Sequence, residues 1–148
     1  MSLSDFQPRI AHYAERVRAS FDAQPFGQHI GMELAAVRPG YAECRLRRRP
    51  ELTQQLGYIH GSLLGALADN AAGIALMTLL AENEGMVTVE YKINFLTPAT
   101  SEWLVARGQV LRTGKQLSVS RADLYCGDDA ESGVLCATGL FTLMTLRF

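Results

Sequence analysis

From about residue 59 to residue 81 the chain is apolar almost without interruption, rich in Ala and Leu and free of proline. That pattern predicts a helix buried on all sides. Elsewhere the apolar positions follow other periods. Ile10, Tyr13, Ala14, Val17 and Phe21 recur at helical spacing. They predict an amphipathic helix over 4–23, capped by Ser4 or Asp5 and ended by Pro25 and Gly27. Residues 32–38 and 41–49 suit two strands around a Pro39-Gly40 turn. In the second, Ala42, Cys44 and Leu46 share one face, while Glu43, Arg45, Arg47 and Arg49 share the other. Gly85 is expected to break the chain after the long helix. Val87, Val89, Tyr91, Ile93 and Phe95 then alternate with Thr88, Glu90, Lys92 and Asn94, predicting a half-buried strand that ends at Pro98. Residues 103–112 and 116–126 flank a Thr113-Gly114-Lys115 hairpin turn. A further turn at Gly127-Asp128-Asp129 leads into a last strand over 134–146.

This order predicts an α+β fold, an antiparallel sheet with one long helix. The helix has no charged face to offer water, so the sheet must curl around it. No internal repeat or low-complexity segment interrupts the pattern.

Composition adds bounds. At 148 residues the chain is one domain with room for a real core, and 48% hydrophobic with 20% charged residues describes an ordinary soluble globular protein. Fourteen basic and fifteen acidic residues nearly cancel, so nothing pulls the chain toward nucleic acid or an anionic membrane. The arginines of the second strand read as a solvated face. Cys44, Cys126 and Cys136 lack metal-ligand spacing and read as buried free thiols of a reducing compartment. Charges throughout residues 1–23 leave no visible signal peptide. The central Asp with the Gly, Ala and Asn residues of 59–81 argues against a bilayer span. A cytoplasmic protein is expected.

The candidate chemistry lies on the long helix. Asp69 is the only charged residue between Glu51 and Glu82. A carboxylate on a core helix is either paired or functional, because desolvating it alone is expensive. Gly61 and Ser62 fall at the helix start, where orphan N–H groups and the positive dipole end can hold a developing oxyanion. The absent side chain of Gly61 lets a carbonyl approach closely. Eight residues separate Gly61 from Asp69, roughly 12 Å along the axis. One carbonyl cannot touch both within one subunit. If both serve one reaction, two chains must pair with Gly61 of one facing Asp69 of the other. Gly65, Asp69 and Gly73, spaced by four, form a small-residue stripe on which a backbone or substrate could lie; the alternative is close helix–sheet packing.

The stretch Gln54-x-x-Gly57-x-x-His60-Gly61-Ser62, followed by Leu67-x-Asp69 and Gly73, resembles hotdog-fold acyl-CoA thioesterases of the PaaI-like, phenylacetate-degradation group. That family usually shows Asn-x-x-Gly-x-x-His-Gly-Gly and then a helical Asp. The segments from Val87-Thr88-Val89-Glu90 to Thr97-Pro98-Ala99, and from Gly108 to Lys115, are similar to its central strand and following hairpin. The likeness runs from about residue 28 onward. Residues 1–27 are then an N-terminal helical extension able to cap the acyl slot, and 28–148 the thioesterase domain.

The resemblance implies Asp69 as catalytic carboxylate and the Gly61 amide as oxyanion donor. Gln54 stands where the family's Asn positions water or the thioester, and Thr88 where some members orient water with Ser or Thr. Gln54 is one methylene longer than Asn. Ser62 replaces the second Gly, narrowing the approach but keeping the N–H. His60 could act as a base at neutral pH, yet the helix entrance suits it to fixing the loop; with Ser62 it is grouped among substrate-binding positions. Coenzyme A would be part of the substrate, with Arg112 and Lys115 as candidates for its phosphates, and no metal or redox cofactor is signalled. The resemblance also implies a homodimer with shared sites and further pairing of dimers. The acyl group is expected to be aromatic or medium to long chain. A hotdog dehydratase or hydratase would carry His-Phe-Pro with a helical Glu, or Asp-x-x-x-x-His, and neither occurs. Only Asp69 and Gly61 distinguish the enzyme from a non-catalytic acyl-CoA-binding module.

Overall fold

A computed structural model describes residues 6–148. Its helices are α1 (Tyr13–Asp22), α2 (Pro25–Ile30) and α3 (Gly61–Met77), with a short 3-10 turn at Pro50–Leu52. Its strands are β1 (Met32–Arg38), β2 (Tyr41–Arg47), β3 (Glu84–Phe95), β4 (Trp103–Arg112), β5 (Leu117–Gly127) and β6 (Val134–Arg147). Every pairing is antiparallel, in the order β1-β2-β4-β5-β6-β3, so β1 and β3 are the edges.

The central helix touches all six strands, which is the sheet wrapped around a helix that the apolar run demanded. Leu67, Ala68, Ala71, Ala75 and Leu76 of α3 are buried with Leu104, Leu124, Phe141 and Leu143 of the sheet. Each large side chain so buried contributes about 1.5–3 kcal/mol. Small residues on the helix bring the layers close. At Gly108 of β4, an added Cβ would fall on the backbone carbonyl of Ala71. The buried Thr78 ends α3 by donating to Ala75 O at 2.7 Å and accepting from Gly40 N at 2.8 Å, tying the helix to the β1–β2 turn. Gly40 has φ +72°, which suits a glycine in that turn.

Three expectations about helix ends and chain breaks need correction. The helix expected over 4–23 begins only at Tyr13 and ends at Asp22. Its proposed caps Ser4 and Asp5 lie outside the described residues. Pro25 and Gly27 do not end the helical region either. Pro25 is the first residue of α2, its fixed φ suited to that position, and Gly31 at φ +75° closes the helix. Lastly, Gly85 does not break the chain but lies within β3, paired with Leu146.

The most consequential difference is in β3. Its register shifts between Thr88 and Glu90, where Val89 has no partner on β6. This bulge reverses the inside–outside alternation. Thr88 pairs with the buried Leu143, and Tyr91 pairs with the buried Phe141, their rings stacked 5.0 Å apart. Thr88 therefore shares the helix-facing side with Tyr91, whereas strict alternation put them on opposite faces. Nor is β3 half-buried as expected. Val87, Val89, Tyr91 and Phe95 are all more than 40% exposed, on an edge strand paired only with β6.

The helix read to about residue 81 ends at Met77, and the second strand ends at Arg47, so Arg49 leaves its face and donates to Ile30 O at 2.9 Å. The β2 alternation itself agrees with the sequence. Ala42, Cys44 and Leu46 are buried while the opposite face of β2 is ion-paired, Arg45 with Glu33 at 2.7 Å and Arg47 with Glu102 at 2.5 Å. All three cysteines are buried and free. Among the described residues, no helix is long and apolar enough to cross a membrane.

Candidate active site

His60 precedes α3 in an extended conformation, and its Nδ1 accepts a hydrogen bond from Ser62 N at 3.2 Å. The Ser62 hydroxyl lies 2.7 Å from the same nitrogen. His60 thus caps the helix, a role for which its ring must present a lone pair. The next residue, Gly61, opens α3, and its N–H has no intrahelical acceptor. Gly61 does not have a positive φ; the positive-φ glycines are Gly31, Gly40 and Gly57.

Upstream, residues 54–58 form a tight turn. Gly57 N donates to Gln54 O at 2.9 Å, Gln54 N donates to Tyr58 O at 2.8 Å, and Gly57 adopts φ +85°. The Gln54 side-chain oxygen accepts from Leu56 N, which fixes the side chain over the turn. Arg48 braces the outside by donating to Gly57 O at 2.8 Å. Gln54 and Gly61 consequently line one cavity of about 400 Å³, with Tyr58, Leu64, Phe95 and the 96–99 segment as its other walls. Such a volume suits a small-molecule group.

Asp69 lies two turns further along α3. Its Oδ1 accepts from the Thr88 hydroxyl at 2.7 Å, a contact made possible by the β3 bulge. Burial pushes the Asp69 carboxyl above its ordinary value, and the Thr88 hydrogen bond pulls it partly back. Asp69 and Thr88 line a second cavity, of about 360 Å³. The chain therefore brings Gln54 to Gly61, and Thr88 to Asp69, but does not join the two pairs.

Arg112 and Lys115 are elsewhere. Arg112 ends β4, and Lys115 lines a third cavity, of about 420 Å³, with Leu76, Leu79 and Glu84 beyond the C-terminal end of α3. Within one chain they are at the opposite end of the helix from Gly61. Among the described residues, no three His, Cys, Asp or Glu side chains are placed to hold a metal ion.

The glycine stripe has a direct structural use. A Cβ on Gly61 would meet the Phe95 ring at 3.3 Å, one on Gly65 would meet the Tyr91 hydroxyl at 3.0 Å, and one on Gly73 would collide with the Met86 methyl. The stripe thus seats the side chains of β3, which is the close-packing alternative weighed from the sequence. Tyr91, Phe95 and the 96–99 segment escaped the sequence reading as site residues. Their aromatic alternation was visible, but what lay opposite it was not.

Known proteins resemble the chain in sequence and in fold. A family model described as thioesterase superfamily matches residues 56–132. Human acyl-coenzyme A thioesterase 13 is 32% identical over 132 residues, covering 86% of this chain and 90% of that protein. A crystal structure of a thioesterase family protein from Silicibacter pomeroyi superposes with a TM-score of 0.87 at 36% identity, covering 92% of this chain and 99% of that one. The E. coli PaaI protein of the phenylacetic acid degradation operon shares the fold, with a TM-score of 0.80 at 21% identity over 93% of this chain and 95% of its own.

Proposed function

The chain belongs to the thioesterase superfamily, and from that premise we propose that it hydrolyses acyl-CoA thioesters at sites shared between two chains. The observation that carries the reading is the division of the site residues, Gln54 with Gly61 in one cavity and Asp69 with Thr88 in another. The pairs are roughly 12 Å apart along α3, too far for one carbonyl group.

Two-fold symmetry removes the gap. For Gly61 of each chain to face Asp69 of the other, the α3 helices must run antiparallel with the axis level with Gly65, midway between them. The same axis would set two β3 edges side by side. That pairing covers Val87, Val89 and Tyr91 and satisfies an edge otherwise open to water. Tyr91, seated on Gly65, would then lie close to the axis.

In such a site the thioester oxygen sits on the Gly61 N–H at the positive end of α3, which stabilises charge as the tetrahedral intermediate forms. Gln54 orients water or the thioester from the same side. Asp69 of the other chain deprotonates the attacking water, or attacks the carbonyl carbon to give a mixed anhydride that water then hydrolyses to free acid and carboxylate, and Thr88 holds the carboxylate in position. The thiolate of coenzyme A leaves. Because the helices are antiparallel, the chain that gives Asp69 also presents the C-terminal end of its α3 beyond the partner's Gly61. This arrangement would bring Lys115 and Arg112 of that chain to the side where coenzyme A phosphates extend. An aromatic or medium to long acyl group occupies the apolar space, and dimers pair further. The buried free thiols suit a cytoplasmic setting.

The test is thiol release from a panel of acyl-CoA esters by the wild-type protein and by Asp69→Asn, which is nearly isosteric. Loss of at least about 100-fold in kcat/KM by a folded variant is expected. Near-normal turnover would place the chemistry elsewhere, and absence of turnover in the wild type with saturable acyl-CoA binding would favour the non-catalytic binding module.

A further inference from the structure

The cavity that holds Asp69 has a wall from the N-terminal helical region. Asp69, Asn70, Ile74 and Met77 of α3 form its floor, and Met86, Val87 and Thr88 of β3 form one side. The remaining lining is Ser20 and Phe21 of α1 with Gln24 of the α1–α2 junction. These three belong to the N-terminal region, which precedes the 56–132 segment matched by the family model.

The wall is fixed in place. Phe21 is buried in the core beside Val17. Arg16 of α1 donates to Ala81 O at 3.0 Å and also bonds Glu84 O, while Arg9 pairs with Glu84 at 2.6 Å. These contacts hold α1 against the far end of α3 and the start of β3, so the wall cannot swing away without breaking charged hydrogen bonds. The methionines of the lining are different. Met86 fills the space left by the missing side chain of Gly73, and Met77 is half-buried beside it. Methionine is unbranched and adapts its shape to what lies against it. The cavity is rigid on the α1 side and compliant on the methionine side.

We infer that α1 sets the acyl-group specificity: the tail of the substrate enters the cavity beside Asp69, displaces Met77 and Met86, and stops against Ser20, Phe21 and Gln24. The inference rests on the proposed acyl-CoA hydrolysis for its substrate class. The substrate is an acyl chain whose length is limited by this wall. Ser20 and Gln24, four residues apart, both line the cavity, so a larger side chain at either takes room from the slot.

The test is to fill the slot from the α1 side with Ser20→Phe. Chain-length profiles of kcat/KM from acetyl-CoA to palmitoyl-CoA should change shape. Turnover of dodecanoyl-CoA and longer esters should fall at least about tenfold, the range expected when an apolar pocket loses room for methylene groups, while acetyl-CoA turnover stays within about twofold. Gln24→Phe serves as the second variant should Ser20→Phe fail to fold by circular dichroism. Gln24 makes no side-chain cap on α2, so its replacement leaves that helix start intact. Titration calorimetry of the Asp69→Asn protein with acetyl-CoA and dodecanoyl-CoA, with and without the filling substitution, reads the slot independently of hydrolysis. Selective loss of dodecanoyl-CoA affinity supports the wall even if the wild-type protein hydrolyses nothing, an outcome that would overturn the proposed enzyme and leave the inference standing. A profile that is unchanged, or lowered equally at every length, with equal affinities in the titration, overturns it.

Discussion

Gly61→Ala separates the chemistry of the helix start from its packing. Gly61 lacks a positive φ, so alanine meets no backbone strain there. The new Cβ would lie 3.3 Å from Phe95 Cζ and 3.6 Å from Cε2. That is a few tenths of an ångström too close, and Phe95 is 55% exposed and free to give way. Against this small cost, alanine gains up to about 1 kcal/mol over glycine through helix propensity, part of which is a smaller loss of unfolded-chain entropy. The net stability change should therefore fall within about 1 kcal/mol of zero. Activity should behave differently. The methyl group enters the cavity shared with Gln54, where the carbonyl must approach the N–H. Loss of one oxyanion donor costs about 2.7–4 kcal/mol in comparable sites, or 100- to 1,000-fold in kcat. Thiol-release kinetics measure the second effect and urea denaturation the first. Wild-type kcat/KM in a variant of wild-type stability would refute the oxyanion role, and severe destabilisation with full specific activity would make Gly61 a packing residue.

Other predictions test neighbouring parts. Thr88→Val keeps the side-chain shape but removes the hydrogen bond that favours ionised Asp69, so the acid limb of the kcat/KM–pH profile should move to higher pH; an unmoved limb would detach Thr88 from the chemistry. Because burial raises the Asp69 pKa above its unfolded value, the native state binds the extra proton in the window between the two. Asp69 therefore costs stability as pH rises through that window, and the cost is full above the folded pKa. Asp69→Asn should accordingly gain melting temperature relative to wild type near pH 7 and lose that gain as the pH falls below the ordinary carboxylate range, measured by calorimetry across pH. Gly108→Ala, in contrast to Gly61→Ala, would drive a Cβ into the Ala71 carbonyl and should cost about 3 kcal/mol or more in urea denaturation.

Much of this was legible in the chain because burial is a strong signal. The unbroken apolar run of α3 required a sheet around it, and a single carboxylate within that run drew attention to Asp69. The β1–β2 hairpin followed from alternation and Pro39-Gly40. Other features depend on tertiary partners that periodicity does not encode. The β3 alternation was real, yet one unpaired Val89 turned Thr88 inward toward Asp69. No residue type announces that bulge. Pro25 was read as a stop, although proline is equally suited to a first helical turn, and only the packing of Phe21 and Ile30 decides between these. His60 invited a catalytic reading, and its capping bond to Ser62 N depends on a backbone geometry that the sequence does not state. The wall of the Asp69 cavity was least legible, since Ser20, Phe21 and Gln24 are far from it in sequence.

The shared site is the central claim, and subunit complementation tests it most directly. Gly61→Val and Asp69→Asn proteins should each be inactive, one lacking access to the oxyanion donor and the other lacking the carboxylate. In a mixed dimer one site carries both lesions, and the other combines an intact Gly61 with an intact Asp69. With full random exchange about half the dimers are mixed, so up to about a quarter of wild-type activity should return on mixing. Native mass spectrometry of the same sample counts the mixed dimers. Activity that rises in proportion to them is the predicted result, and mixed dimers without activity would contradict a site built from two chains.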